Sequence, residues 1–238
     1  MNNLYPMRIN KYLAFIKIST RRGADELIKN KKVLINGKIA SLGDKINEQD
    51  KVEVKENKNP KVYVYFAYNK PIGVITHSPQ ENEKDIKENI KNTGMPKDVF
   101  PIGRLDKNSH GLIILTNDGR ITDQLLNPKY IHEKEYTVKT LNKLRSNFKQ
   151  KMEAGVNIEG YKTKKCKVNI INDYTFKVML TEGKKHQIRR MCSALFQEIA
   201  DLKRIRIMNI TLGNLKPNAS REIKGEELNT FLKEINLK

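Results

Sequence analysis

Apolar residues recur at helical spacing near the start of the chain and at strand spacing after it. Within residues 8–55 two apolar stripes predict two short helices, the second with Ser19 as its N-cap. The dipeptide Asn36-Gly37 separates two short apolar runs, which predicts a tight hairpin because both residues tolerate positive φ. The stripes consist of Ile9, Tyr12, Leu13 and Ile16, and of Ala24, Leu27 and Ile28.

The rest of the chain alternates strand and helix patterns without a regular βαβ rhythm. An aromatic run over residues 62–68 and an apolar run over 111–116 predict strands, the second buried on both faces. Alternating runs on either side of Asn172-Asp173 predict another hairpin, and apolar stripes predict helices around residues 144–152, 188–195 and 228–235. The fold class is therefore α+β, with a mixed, mostly antiparallel sheet flanked by helices.

A polar, proline-bearing segment at residues 55–61 has no periodicity and is predicted to be a linker. We therefore expect a small N-terminal domain over residues 1–57 and a larger domain over residues 58–238. A chain of 238 residues accommodates this arrangement.

The charge is strongly unbalanced. The chain has 46 Lys and Arg against 27 Asp and Glu, a formal net charge of +19, which favours a polyanionic partner. Residues 1–32 hold eight basic and two acidic residues, so the two helices carry the positive face of the first domain. Its expected RNA-binding residues are Arg8, Lys11, Arg21 and Arg22.

Several functional classes lose support from the sequence. No apolar run is long enough for a membrane span, and the first residues do not resemble a secretory signal. Two cysteines 26 residues apart and four scattered histidines make no zinc motif. No glycine-rich loop suits ATP, NAD or S-adenosylmethionine. We expect a reduced, cytoplasmic protein without metal or cofactor, and a monomer because no long apolar seam is evident.

The segment at residues 100–119 carries the first chemical candidate. Asp106 lies two residues after Arg104, just before a turn that enters the apolar strand. Residues two apart in an extended segment face the same way, so the guanidinium would keep this carboxylate ionised and nucleophilic. An aspartate in a turn that contains Asn and Ser is also common turn chemistry, so the residue types alone leave both interpretations open.

Two further segments carry nucleic-acid chemistry. Tyr136 begins a predicted strand, where its ring either stacks on a base or packs at a sheet edge. After a strand that contains Leu180, a glycine turn leads into a helix rich in cations. A helix N-terminus with basic side chains attracts phosphate. Residues 183–207 hold seven basic residues against two acids: Lys184, Lys185, Arg189, Arg190, Lys203, Arg204 and Arg206.

These segments, in this order, resemble the pseudouridine synthases that modify bacterial ribosomal RNA. GRLDKNSHGLIILTNDG resembles the aspartate motif of that family, HEKEYTV its tyrosine motif and EGKKHQIRRM its basic motif. Residues 8–55 resemble the S4-type RNA-binding domain that precedes many such enzymes. Residues 154–168 and 204–210 are most similar to synthases of the large-subunit (23S) RNA.

The resemblance implies a role for each candidate. Asp106 would be the nucleophile or base that acts on a flipped uridine, Tyr136 would stack on the base, and Arg189 would pair with Asp106. Leu180 would pack beneath the base, although an ordinary core position also fits it. Arg104 would fill the gap that the flipped nucleotide leaves, and Lys184, Lys185 and Arg190 would bind the RNA.

Alternative functions remain at this point. One is a non-catalytic RNA-binding or ribosome-assembly factor with the same basic surfaces. Another is a synthase that acts on small-subunit RNA or on tRNA. An RNA methyltransferase has less support, because the sequence lacks a glycine-rich loop for its cofactor.

Overall fold

The computed structural model describes residues 5–55, 62–77, 83–91 and 93–237. The chain divides into two compact units, the first formed by residues up to Tyr63 with the segment Asp118–Ile121 and the second by nearly all of the remainder. The predicted boundary between residues 57 and 58 lies outside the described residues, as does most of the predicted linker, so both stay predictions. No helix in the described ranges is long and apolar enough to cross a membrane.

The first unit packs two helices on short strands. Strand β2 lies between β3 and β5 in a three-stranded antiparallel sheet, and β1 pairs with β4. Ile9, Leu13, Ala24 and Ile28 are buried on the helices, as the apolar stripes predict. The elements are β1 (Met7–Arg8), α1 (Ile9–Phe15), α2 (Arg21–Lys29), β2 (Val33–Ile35), β3 (Lys38–Ile39), β4 (Lys45–Ile46) and β5 (Val52–Val54).

Two local predictions in this unit have different outcomes. The hairpin at Asn36-Gly37 is confirmed, with φ of 50° and 78° at the two turn residues. The N-cap prediction is wrong by one residue, because Thr20 Oγ1 accepts the Gly23 N–H at 2.9 Å. The Ser19 hydroxyl instead packs on Gly23, where an added Cβ would lie 2.4 Å from it.

The second unit is built on a nine-stranded sheet of described residues with the order β12-β13-β9-β14-β8-β6-β16, while β15 pairs with β14 and β7 with β8. The β14–β8 pair is parallel and the other pairs of this sheet are antiparallel, which confirms the predicted α+β class. The first elements are β6 (Tyr65–Lys70), α3 (Ile86–Ile90), β7 (Phe100–Ile102), β8 (His110–Thr116), α4 (Ile121–Leu126), β9 (Lys134–Thr140) and α5 (Phe148–Glu153). The later ones are β10 (Asn157–Ile158), β11 (Tyr161–Lys162), β12 (Lys167–Asn172), β13 (Thr175–Leu180), α6 (Gln187–Ala194), β14 (Ile199–Ile207), β15 (Ile210–Thr211), β16 (Ser220–Glu222) and α7 (Gly225–Glu234).

Element boundaries differ slightly from the sequence-based expectations. The aromatic strand begins at Tyr65 and continues to Lys70, and β9 begins at Lys134 rather than at Tyr136. Helix α5 begins at Phe148, which leaves Leu144 in the preceding loop. Helices α5 and α6 bury their apolar faces on β9, β12 and β13 in one cluster, in which Phe148 and Phe176 make an edge-to-face contact at 4.8 Å.

A close approach of β8 and β14 positions the centre of the sheet. A Cβ on Gly111 would lie 2.3 Å from the Arg204 carbonyl oxygen, and Gly111 has a φ of +103°. Only glycine fits both the backbone conformation and the gap. Because β14 also pairs with β9, this contact brings the β7–β8 loop and β9 to the same region.

Candidate active site

Asp106 lies in the loop between β7 and β8, and this loop is anchored on both sides of the residue. Leu105 is buried, and its backbone N–H and carbonyl both bond to Thr76 Oγ1, at 3.1 and 2.8 Å. The Ser109 N–H donates to the Asp106 carbonyl at 3.0 Å and closes the turn that follows. The Asp106 side chain is half-buried, so the anchored backbone presents its carboxylate to a partly open space.

The close side-chain partner of Asp106 in the structure is a histidine. Nδ1 of His186 lies 3.1 Å from Oδ2 of Asp106. His186 precedes the first residue of α6 and has a left-handed conformation, with φ of 51°. This backbone conformation turns the imidazole toward the Asp106 loop.

The hydrogen bonds of Arg189 go to the turn after Asp106, and its pairing with the Asp106 carboxylate stays a prediction. Its Nη2 donates to the Asn108 carbonyl at 2.8 Å and lies 3.5 Å from Ser109 Oγ, so it braces the turn after Asp106 rather than the carboxylate. The reason lies at the start of α6, where the left-handed residue brings His186 to Asp106 and leaves Arg189 over the turn. A catalytic role of Arg189 stays a prediction, with positioning of the Asp106 loop as its observed contact.

A pocket of about 590 Å³ opens beside Asp106, within the size range of sites for small molecules. Tyr136 on β9 and Leu180 at the end of β13 line it, and Leu180 is 3% exposed. Seven of the residues singled out from the sequence thus share this pocket: Arg104, Asp106, Tyr136, Leu180, Lys184, Lys185 and Arg204.

The other predicted RNA-binding residues lie elsewhere. Arg190 forms an ion pair with Glu159 and donates weakly to the Lys185 carbonyl, at 3.4 Å. It is not among the residues that line the pocket. In the first unit Arg8, Lys11, Arg21 and Arg22 are all exposed, on β1, α1 and α2.

The predicted phosphate-binding group at residues 183–207 is wrong for two of its members. Arg204 is 3% exposed and lines the inner wall of the pocket. Arg206 donates to Glu135 at 2.9 Å and to Glu133 at 3.1 Å, so neighbouring carboxylates neutralise it. Nearness in sequence to the basic motif suggested surface charge, whereas β14 buries Arg204 and leaves Arg206 partly exposed among carboxylates.

A buried lysine close to Asp106 was not anticipated. Lys70 is fully buried at the end of β6, and its ammonium donates to the carbonyls of Pro71 at 3.0 Å and Val74 at 2.6 Å. Burial lowers the pKa of Lys70 to about 8, with the charge of Asp106 opposing this shift and that of Arg204 adding to it. The only signal in the sequence was a lysine before proline at the end of a strand.

A buried glutamate fixes the other side of the pocket. Glu182 accepts hydrogen bonds from the Tyr161 hydroxyl at 2.5 Å, the Lys164 N–H at 2.9 Å and Gln187 Nε2 at 2.7 Å. It therefore ties the β10–β11 hairpin to the start of α6, next to Lys184 and Lys185 on the pocket wall. Among the described residues, no group of three or more His, Cys, Asp or Glu side chains could hold a metal ion.

Comparison with known proteins identifies the family. Residues 64–194 match the model of the RNA pseudouridylate synthase family, and residues 7–52 match the S4 domain. The chain belongs to the RNA pseudouridylate synthase family. It is a pseudouridine synthase with an S4 domain, as the motifs around Asp106 and Tyr136 predict.

Individual relatives of this synthase extend over nearly the whole chain. It is 38% identical to the dual-specificity RNA pseudouridine synthase RluF of Escherichia coli K12, over 96% of this chain and 79% of the relative. It is 35% identical to the ribosomal large subunit pseudouridine synthase B of Bacillus subtilis, over 93% of both chains. A solved structure of a pseudouridylate synthase superposes with a TM-score of 0.70 at 26% identity, over 96% of this chain and 99% of the other.

Proposed function

We propose that this synthase isomerises a specific uridine of large-subunit ribosomal RNA to pseudouridine, with Asp106 as its essential carboxylate. The observation that carries the proposal is the half-buried Asp106 at a pocket that an aromatic ring, Tyr136, and an apolar floor, Leu180, also line. The reaction replaces the bond from N1 to C1′ by a bond from C5 to C1′. It requires no group donor and no net oxidation.

The geometry supports a flipped base as substrate. Target atoms of a stacked nucleotide are out of reach, so the base must be extruded or lie in a loop. In our proposal the ring of Tyr136 stacks on the uracil above Leu180, while exposed Lys184 and Lys185 hold the flanking phosphates. Arg104 is exposed at the rim, where it can fill the vacated place in the RNA.

The S4 domain supplies the second contact in this proposal. Its exposed cations Arg8, Lys11, Arg21 and Arg22 are suited to a structured RNA that also reaches the pocket. We propose that the enzyme acts as a monomer in the cytoplasm, where bacterial ribosomal RNA is found. Large-subunit RNA is favoured because the B. subtilis relative is named for that subunit.

Release of tritium from RNA labelled at C5 of uridine tests the proposal, because the C5 hydrogen leaves as the new bond forms. We expect release from large-subunit RNA fragments with the wild type and at least about a 1,000-fold loss with Asp106→Asn, as for removal of an essential catalytic group. RNA affinity should stay within a few-fold. Asp173→Asn is the matched control, since Asp173 is exposed in the β12–β13 turn and pairs with Lys143.

Each other outcome has a definite meaning. Lack of release from any RNA with the wild type would favour a non-catalytic binding or assembly factor. Full turnover by Asp106→Asn would refute the assignment of Asp106. Release confined to small-subunit RNA or tRNA would show that one of these, and not large-subunit RNA, is the substrate. Both are included because the name of the E. coli relative states dual specificity.

A further inference from the structure

Arg204 has an unusual place for an arginine. It lies on β14 in the middle of the sheet and is 3% exposed. Its Nε donates to the Leu112 carbonyl at 2.7 Å, and its Nη1 reaches the Arg104 carbonyl at 3.4 Å. Its Nη2 is buried without a hydrogen-bond partner among the described residues. A buried, unpaired donor on a cation is costly, and at the wall of a pocket a bound group can complete it.

A second cation lies beside it. Lys134 on β9 lines the same pocket, and the register pairs Arg204 with Tyr136, two residues further along β9. In the described part of the chain, no hydrogen bond or ion pair of the Lys134 ammonium is found. Burial lowers the pKa of Lys134 to about 8, and the charge of Arg204 adds to the effect. The two groups therefore form a cationic wall to which, among the described residues, no carboxylate is hydrogen-bonded or ion-paired, although Asp106 and Glu182 line the same pocket.

Comparison with Arg206 separates this wall from ordinary structural arginines. Arg206 lies on the same strand, and each of its donor nitrogens has a protein partner. Those partners are Glu135 for Nε at 2.9 Å, the Met208 carbonyl for Nη1 at 2.7 Å and Glu133 for Nη2 at 3.1 Å. An arginine that only braced the backbone would not need to face the pocket. Arg204 does face it and keeps one donor unused.

The proposed reaction produces an anion at this place. When the C1′–N1 bond breaks, its electron pair stays with the base, and the negative charge is shared by N1, O2 and O4. After the base turns, C5 supplies the electron pair of the new bond to the electron-deficient C1′. A base then takes the C5 proton and N1 gains a proton, so the net change moves one proton from C5 to N1. Donors that are already oriented toward developing charge give the largest electrostatic effect in a site that excludes water.

We propose that Arg204 and Lys134 bind the detached uracil as an anion and thereby stabilise the step that breaks the glycosidic bond. This inference rests on the proposed function and adds the residues that hold the leaving base. A backbone phosphate is a poorer fit, because a side chain 3% exposed lies behind the rim where Lys184 and Lys185 are exposed. The anchored Nε of Arg204 keeps the guanidinium in place between turnovers.

A better leaving group tests the proposal. We would measure single-turnover consumption of the target nucleoside in two stem-loops, one with uridine and one with the more acidic 5-fluorouridine, by chromatography of nuclease digests. Arg204→Met should slow consumption of uridine about 100-fold, as for loss of one preorganised donor. Consumption of 5-fluorouridine should slow only about 10-fold. Arg204→Lys should retain part of the rate that Arg204→Met loses. Lys134→Met should, like Arg204→Met, slow the uridine substrate more than the fluorinated one.

Arg206→Met is the matched control and should leave the ratio of the two rates unchanged. An unchanged ratio in both Arg204→Met and Lys134→Met would overturn the inference. If Arg204→Met does not fold, as judged by its thermal melting, Arg204→Lys and Lys134→Met decide by the same ratio. A wild type that consumes neither nucleoside would instead contradict the proposed function itself.

Discussion

The two cationic regions of this enzyme differ in burial. In the S4 unit the cations of β1, α1 and α2 are exposed, whereas in the catalytic unit Lys70 and Arg204 are buried and Lys134 lies in the pocket wall. Exposed charges attract an RNA backbone from a distance and are screened by salt. Buried charges interact strongly with a group that enters their site and depend on an accurate backbone. In the proposed function, positive charge therefore serves affinity for RNA in one unit and the chemical step in the other.

The largest loss of stability is expected at Gly111, where the backbone positions the buried Arg204. Gly111→Ala should lower the free energy of unfolding by at least about 3 kcal/mol, because the new Cβ would overlap the Arg204 carbonyl in a strained conformation. Urea denaturation measures this loss. Gly160→Ala is the matched control: Gly160 also has positive φ, at +79°, but a Cβ added there would have nothing within 4 Å, so about 1 kcal/mol is expected. Equal losses would contradict the role of the close approach.

Exposed cations should instead act through salt-dependent affinity. Changing Arg8, Lys11, Arg21 and Arg22 to Gln should weaken RNA binding and reduce the slope of log affinity against log salt by up to about 3, with saturating turnover preserved. Filter binding at several salt concentrations gives the slope. The control changes three exposed lysines from the more acidic residues 33–55 of the same unit, Lys38, Lys51 and Lys55, with effects compared per charge removed; Lys45 is left unchanged because it pairs across the strands with Arg8. An equal effect of both sets would show that the two helices are not the RNA-binding face.

The smallest effect is the pH dependence of stability that the Lys70 proton causes. Above about pH 8 the folded enzyme releases the Lys70 proton, while the unfolded chain keeps it up to the ordinary pKa of 10.5. The free energy of unfolding should therefore rise with pH in this window, by at most about 1.4 kcal/mol per pH unit and less where water screens the ammonium. Lys70→Met lacks this contribution, so its free energy of unfolding should decrease relative to that of the wild type from pH 8 to pH 10.

Urea denaturation at each pH checks this sign. Lys134→Met should show the same trend, because burial also lowers the pKa of Lys134 to about 8. If the free energies of unfolding of the wild type and Lys70→Met changed with pH in parallel, burial would not disfavour the charged form of Lys70.

Local patterns predicted the local features of this fold. The apolar stripes located α1 and α2, and Asn36-Gly37 located its hairpin, because these depend on residues close in sequence. The N-cap predicted at Ser19 failed by one position, since the neighbouring Thr20 also carries a hydroxyl and only the packing on Gly23 separates the two.

The site was predicted where a motif carries it and missed where distant strands create it. Asp106, Tyr136 and Leu180 line one pocket, as the motifs suggested. The burial of Arg204 depends on β14 lying between β8 and β9, which periodicity does not reveal. The partners of His186 and Arg189 depend on one left-handed residue before α6, a feature without a clear signal in a histidine.

The closeness of β8 and β14 has a consequence for how such an enzyme can change. Main-chain atoms set the spacing of the two strands at Gly111, so the inner wall of the pocket at Arg204 does not depend on the exposed lysines and arginines at its rim. If the proposed roles hold, exchanges among the exterior lysines and arginines would redirect the enzyme to another RNA while the inner wall of the pocket keeps its shape.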